Sequence, residues 1–232
     1  MTRLVESVAV AAGGAAIGAA VGWPIGLTVP MASIAAGNGA ISGWRGIYEW
    51  NRSRGMVAFL LDSSWGLITT AAGLASHGLG YIRREPRYSP ELSHRQNRHV
   101  YERGFQPRKG FATTLGNVVA GAGDMTSARR RRLVTDHEDV HVWQARYFGP
   151  FYPVVYLLWM AGGAIVAPFI WVKRRRRDRL GRVVESCSYY CNPFEWWAYS
   201  RDDNWPPSKL AEGFGWPRPL FRPFAQTRAG RR

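Results

Sequence analysis

Residues 8–41 read VAVAAGGAAIGAAVGWPIGLTVPMASIAAGNGAI, a stretch with no charged side chain in which Gly14, Gly18, Gly22 and Gly26 recur every four residues. Small residues at that spacing line one face of a helix and let a second helix approach closely, which supplies packing where lipid removes the hydrophobic driving force between helices. The stretch exceeds the ~20 residues that a single crossing needs, and Pro24 and Pro30 interrupt it. A helical hairpin is therefore predicted, and the glycine face offers a seam for a homo-oligomer through the same four residues. A soluble Ala/Gly linker is the competing reading, but linkers carry polar residues that this run lacks. Ahead of it, one early Arg followed by apolar residues looks like a signal anchor, retained because no clear cleavage site follows.

Outward from this core, Met56 to Ile82 is a second apolar stretch, long enough to span and flanked by Arg52, Arg54, Arg83 and Arg84. Asp62 and His77 interrupt it near its ends, where interfacial placement is expected because an ionisable group in hydrocarbon is costly. The polar, basic segment from Arg83 to Arg108 reads as an extramembrane loop. Phe111 to Ala120 reads as a strand ending at Gly121 and Gly123. A helix is expected to start between Ser127 and Thr135 and to run to about Phe148. The tail from 205 to 232, rich in Pro, Gly and Arg, is expected to be extended or disordered. The organisation is thus a membrane region over 1–82, a metal-site region over 83–204 with an apolar segment at 148–172, and the tail.

With 31 Lys and Arg against 16 Asp and Glu, the net charge of +15 calls for an anionic partner. Placement distinguishes the candidates. The densest runs, Arg129–Arg132 and Lys173–Arg177, lie beside apolar stretches as juxtamembrane clusters do, which points to the anionic headgroups of a lipid bilayer. No recognisable nucleic-acid module or aromatic interleaving accompanies them, so no specific nucleic-acid partner is expected.

The chemistry-bearing stretch is His137-Glu138-Asp139-Val140-His141. On a helix, i and i+4 share a face, so both imidazoles can reach one Zn²⁺ while the intervening Glu138 addresses a metal-bound water as general base. A catalytic zinc needs a third protein ligand and one open position. Competing readings exist for each acid. Thr135-Asp136-His137-Glu138 fits a capping box, and Asn192-Pro193-Phe194-Glu195 fits an N-cap with Pro at N1 and Glu at N3. Capping accounts for either Glu but for neither His.

Taken together, HEDVHVWQARYFGP and NPFEWWAYS resemble bacterial membrane-associated proteins of the gluzincin metallopeptidase type, which carry HExxH, Gln, Gly-Pro and a later Glu-x-x-Ala. The resemblance covers roughly residues 111–200 and leaves the glycine zipper unaccounted for. It implies a zinc site with His137, His141 and Glu195 as ligands, Glu138 as catalytic base, a peptide or protein substrate and an inner-membrane location. Asp139 departs from the pattern, which prefers an uncharged residue there. Tyr199, Tyr152 and His99 are all candidates to stabilise a transition state.

Cys187 and Cys191 are too few for a disulfide scaffold. They could be free thiols, a disulfide, or two further ligands in a closed Cys2His2 site that would leave no place for water. The apolar segment Phe148 to Val172 raises a topological problem, because a straight span would put His137 and Glu195 on opposite sides. Basic clusters at both of its ends, together with Gly162-Gly163 and Pro150, Pro153 and Pro168, point to a re-entrant or surface-lying hairpin. The expectation is a mainly α, membrane-associated protein: a glycine-zipper hairpin plus a zincin-like His-Glu helix with a small β element. The rival is a non-catalytic membrane protein that oligomerises through its glycines.

Overall fold

The computed structural model describes residues 2–84, 87–108, 110–207, 211 and 213–220. The chain is mainly helical and divides into two compact units, Met1–Pro150 and Phe151–Arg232, so the helix bearing His137 and His141 belongs with the hairpin and the sheet. Two helical stretches, Arg3–Ile25 and Phe151–Lys173, are long and apolar enough to cross a membrane.

In the first unit, α1 (Arg3–Gly22) and α2 (Thr28–Arg45) form the predicted hairpin. Their closest approaches step four residues along each helix in opposite directions. A Cβ on Gly18 would lie 2.6 Å from the Met31 carbonyl oxygen, and one on Gly39 would lie 2.5 Å from that of Val10. Any larger side chain would push the backbones apart, which is why small residues occupy these positions. Gly14 and Gly22 take part in the same seam, but Gly26 does not: it ends the turn Trp23–Ile25 at φ +72°, where lack of a Cβ is the requirement. The zipper face thus lies against a helix of its own chain.

The second apolar stretch is not one straight helix. It forms α3 (Ser53–Ser63) and α4 (Leu67–Ile82), bent by 88°. The amides of Ser64 and Gly66 both turn back to the Leu61 carbonyl, which closes α3 and redirects the chain. Asp62 and His77 are both buried among protein partners, which answer their polarity directly.

Nor is the segment before the sheet a plain loop, since it supplies β1 (His99–Val100) and buries Leu92, Asn97 and Arg98. Phe111 to Ala120 is two strands, β2 (Thr113–Leu115) and β3 (Val118–Ala120), joined at Gly116-Asn117. The order is β1-β3-β2: β1 runs parallel to β3 with Val100 opposite Val119, and β2 runs antiparallel with Thr114 opposite Val119. Gly116, at φ +57°, sits so close to α4 that a Cβ would come within 2.2 Å of the Thr69 carbonyl oxygen. Val100, Val119 and Ala122 then meet Val134 and Val142 in one apolar cluster, which seats the His-bearing helix on the sheet.

That helix is continuous from Ala128 to Phe148, as expected: α5 (Ala128–Arg132), a wide π-type turn over Leu133–Glu138, and α6 (Asp139–Phe148). Its cap is Ser127, whose hydroxyl accepts from the Arg130 amide. Thr135 lies inside the helix, so the capping-box reading of Glu138 fails.

In the second unit, α7 (Phe151–Lys173) is one unbroken helix; Gly162-Gly163 does not fold it into a re-entrant hairpin. Instead the chain turns at the basic segment after Lys173 and runs back along α7 through α8 (Leu180–Glu185), a π-type turn (Ser186–Tyr190) and α9 (Pro193–Arg201). Gly163 permits the close return: a Cβ there would sit 2.5 Å from the Cys187 carbonyl oxygen. Trp159 donates to that carbonyl and the Asn192 amide reaches the Tyr156 carbonyl. Phe194 meets Tyr152 at the start of α7, ring centroids 4.9 Å apart. Glu195 is thereby carried back alongside the first half of α7, where Tyr156 lies.

The described residues of the tail form no helix or strand, yet several are held in place, because its aromatic rings find partners that its Pro and Gly content does not reveal. Trp216 stacks on Trp196 at 4.4 Å and donates to the Cys191 carbonyl, and Phe214 is buried. The prediction for 208–210, 212 and 221–232 lies outside the described residues.

Candidate metal centre

A buried ion pair fixes the helix that carries the two histidines. Arg146 in α6 donates from Nε and Nη2 to the two Asp62 oxygens of α3, at 2.8 Å each, with both side chains almost fully buried. Tyr48 and Asn117 donate to the same carboxylate at 3.0 and 3.2 Å, so the pair is hydrogen-bonded as well as charge-balanced. Burial, and next the Asp62 carboxylate, push the Tyr48 phenol well above its ordinary pKa and keep it a donor. At the other end of α6, Asp139 is clasped by Arg98 and by Arg54, the latter at 2.9 Å. The charge that departs from the zincin pattern is therefore answered by two arginines.

Between these anchors, His137 and His141 are buried and their Nε2 atoms face each other at 3.2 Å. Two nitrogen ligands at tetrahedral zinc, each ~2.0–2.1 Å from the metal, stand about 3.3 Å apart. The Gln144 side-chain oxygen lies 2.8 Å from His141 Nδ1. An amide oxygen can only accept, so Nδ1 carries the proton and Nε2, facing His137, bears the lone pair of the ring, the tautomer that outer partners of metal-bound histidines commonly set. The π-type turn widens the helix just before this pair; such turns recur at functional sites.

Glu138, also buried, accepts a 2.6 Å hydrogen bond at Oε2 from the Thr114 hydroxyl of β2. Its carboxylate is thus tied to β2, one of the two edge strands of the sheet. In the second unit, the Asn192 side chain caps α9 by accepting from the Phe194 amide, as its sequence suggests, with Pro193 at the first position. Capping does not absorb Glu195, however: its Oε1 accepts from the Tyr156 hydroxyl at 2.7 Å and the side chain is buried. The ligand atoms of His137, His141 and Glu195 all lie within 4.8 Å of one another, so this buried group could hold a metal ion.

The two cysteines and His99 sit in other clusters. Cys187 and Cys191 are free thiols in an apolar cluster with Ala167, Val183 and Phe214, which removes the Cys2His2 reading. Burial, then the neighbouring Cys187, pushes the Cys191 thiol up to about 12, far from thiolate chemistry. His99 bonds to Ser42 at 3.0 Å and meets His77 edge to face. Burial, His77 and the Arg45 and Arg146 charges hold its pKa well below the usual imidazole range. Tyr152 packs on Phe194, and Tyr199 on Tyr190. Thr114, Tyr156 and the Asp62–Arg146 pair were not foreseen from sequence. Only Gln144 carried a signal, being one helical turn beyond His141 on the same face.

Comparison with protein-family models, curated proteins and solved structures gives no match to this chain.

Proposed function

We propose that this chain is a membrane-associated zinc hydrolase of the HExxH type acting on peptide bonds. His137, His141 and Glu195 would hold the metal, and Glu138 would serve as general base. The observation that carries the reading is the facing of the two Nε2 atoms at 3.2 Å, with Gln144 fixing the tautomer that leaves His141 able to ligate. Two nitrogens and one carboxylate oxygen are a donor set that zinc accepts with a coordination position left over.

Zinc held there would lower the pKa of a bound water toward neutrality and polarise a substrate carbonyl. Glu138 would take the proton from that water; its Oε2 is occupied by Thr114, and Oε1 receives no hydrogen bond from a described residue. The unpaired edge of β2 would receive an extended peptide by strand addition, next to the strand residue that holds the base.

Metal analysis of the purified full chain tests the proposal. One zinc per chain is expected, lost in His137→Ala and reduced in Glu195→Gln, whereas Glu138→Gln keeps zinc but loses peptide hydrolysis by about a hundredfold or more. Metal-free wild type after preparation in zinc-supplemented medium would overturn it. The second reading, a non-catalytic membrane protein that self-associates, accounts for the exposed apolar helices and leaves the facing imidazoles without a purpose.

A further inference from the structure

At the open end of the α1–α2 hairpin, where α1 begins and α2 ends, a cleft of about 400 Å³ is lined by Arg3, Trp44, Arg45, Tyr88, Pro90 and His94. Two guanidiniums and an imidazole face it, and no carboxylate of a described residue lines it. The nearest acid on the hairpin, Glu6, is buried and already answered by Arg95 at 2.9 Å and by Trp50 at 2.8 Å. Arg45 is held rather than loose. Its guanidinium lies 4.0 Å from the Tyr88 ring centroid and donates to the hydroxyls of Tyr101 and Tyr81, the latter at 2.6 Å. A guanidinium braced this way presents its remaining N–H groups in fixed directions, the geometry that suits phosphate oxygens.

The position within the hairpin indicates where the phosphate comes from. Residues 7–44 contain no charged side chain, and the far tip exposes Trp23, Ile25, Leu27 and Val29. All the charge of the hairpin therefore sits at the cleft end, beside exposed Trp44 and Tyr81. Aromatic amphipathic rings and arginines at the end of an uncharged apolar element mark the headgroup level of a bilayer.

We propose that this cleft binds the phosphate of an anionic phospholipid, with Arg3 and Arg45 as the charge partners, His94 as a further donor and Trp44 against the acyl–glycerol region. The site is separate from the histidine pair and does not depend on any metal there.

Native mass spectrometry of the full chain released from a neutral detergent would test it, with phosphatidylglycerol, phosphatidylcholine and inorganic phosphate as probes. One phosphatidylglycerol per chain is expected at low excess, with little retention of phosphatidylcholine and weak competition by inorganic phosphate. The double variant Arg3→Gln with His94→Gln, both at exposed positions, should weaken phosphatidylglycerol binding about tenfold, a loss matching removal of charge-assisted hydrogen bonds. Arg45→Gln should weaken it further. Because Arg45 also braces two tyrosines, unchanged far-UV circular dichroism must accompany that result for it to count. Phosphatidylglycerol retention unaffected by the double variant would overturn the site, and inorganic phosphate competing at equal affinity would overturn the lipid source. Zinc content is measured separately, so failure of the hydrolase reading and failure of this one are distinguishable.

Discussion

The two units hold their long apolar helices by different means. In Met1–Pro150, α1 is backed along its length by α2 through glycine-to-backbone contacts, and the elements around that hairpin are tied by a buried charge pair. In Phe151–Arg232, α7 has its return limb on one side, held by aromatic rings and one close glycine, while Leu157, Leu158, Ile165 and Phe169 stay exposed. The contrast shows that a similar length and hydropathy of helix can be satisfied either by a neighbour or by surroundings, and that glycine placement decides which face is which.

The charge pair is the strongest point at which to break this contrast. Asp62→Ala leaves Arg146 buried and uncompensated, and removal of one partner from such a pair costs roughly 3–5 kcal/mol. Thermal unfolding should show a large drop, and zinc binding by the His pair should weaken with it because α6 loses its anchor. No change in the unfolding midpoint would mean that Arg146 is satisfied some other way.

Glycine substitutions come next. Gly18→Val in α1 and Gly163→Val in α7 both drive a side chain into a carbonyl oxygen, and overpacking of this kind costs typically ~1–3 kcal/mol. Comparable losses are expected in both units by differential scanning calorimetry, since each seam is backbone against backbone with nowhere to shift.

Acid should separate the units more gently. His99 is held neutral by burial, with His77, Arg45 and Arg146 adding to the effect, so its folded pKa lies below the unfolded one. The unfolded state then binds more protons, and this contribution to stability is fully present above about pH 6.5 and lost progressively as pH falls toward the folded value. Denaturant midpoints of the wild type against His99→Gln should converge as pH drops below that value. A wild-type midpoint that falls no faster than that of the variant would remove His99 as the sensor. The smallest effect belongs to Gly162→Ala, which meets nothing within 4 Å and should gain about 0.5–1 kcal/mol from helix propensity alone.

Much of the candidate site was legible because it is local. The i, i+4 histidines, a helix starting between Ser127 and Thr135 and running to about Phe148, and a hairpin interrupted by Pro24 and Pro30 all follow from periodicity and from residues with special backbone needs. The partners that hold them are not local. Asp62 and Arg146 are 84 residues apart, and nothing in either neighbourhood says that each will be buried against the other. The break between α3 and α4 was hidden because Ser64, Trp65 and Gly66 do not interrupt the hydropathy of the stretch. The contacts of the tail were hidden by composition, since prolines and glycines obscure what three or four well-placed indole and phenyl rings can anchor.

One consequence follows from the uncharged run between Glu6 and Arg45. A helical pair whose ionised groups all lie at one end, and whose amides are already bonded to their own carbonyls, can enter hydrocarbon tip first without ferrying any ion through it. Inserted that way, both limbs would finish on the side where they started, and biogenesis of this element would demand no translocated charge, only an interface to which the polar base could stay moored.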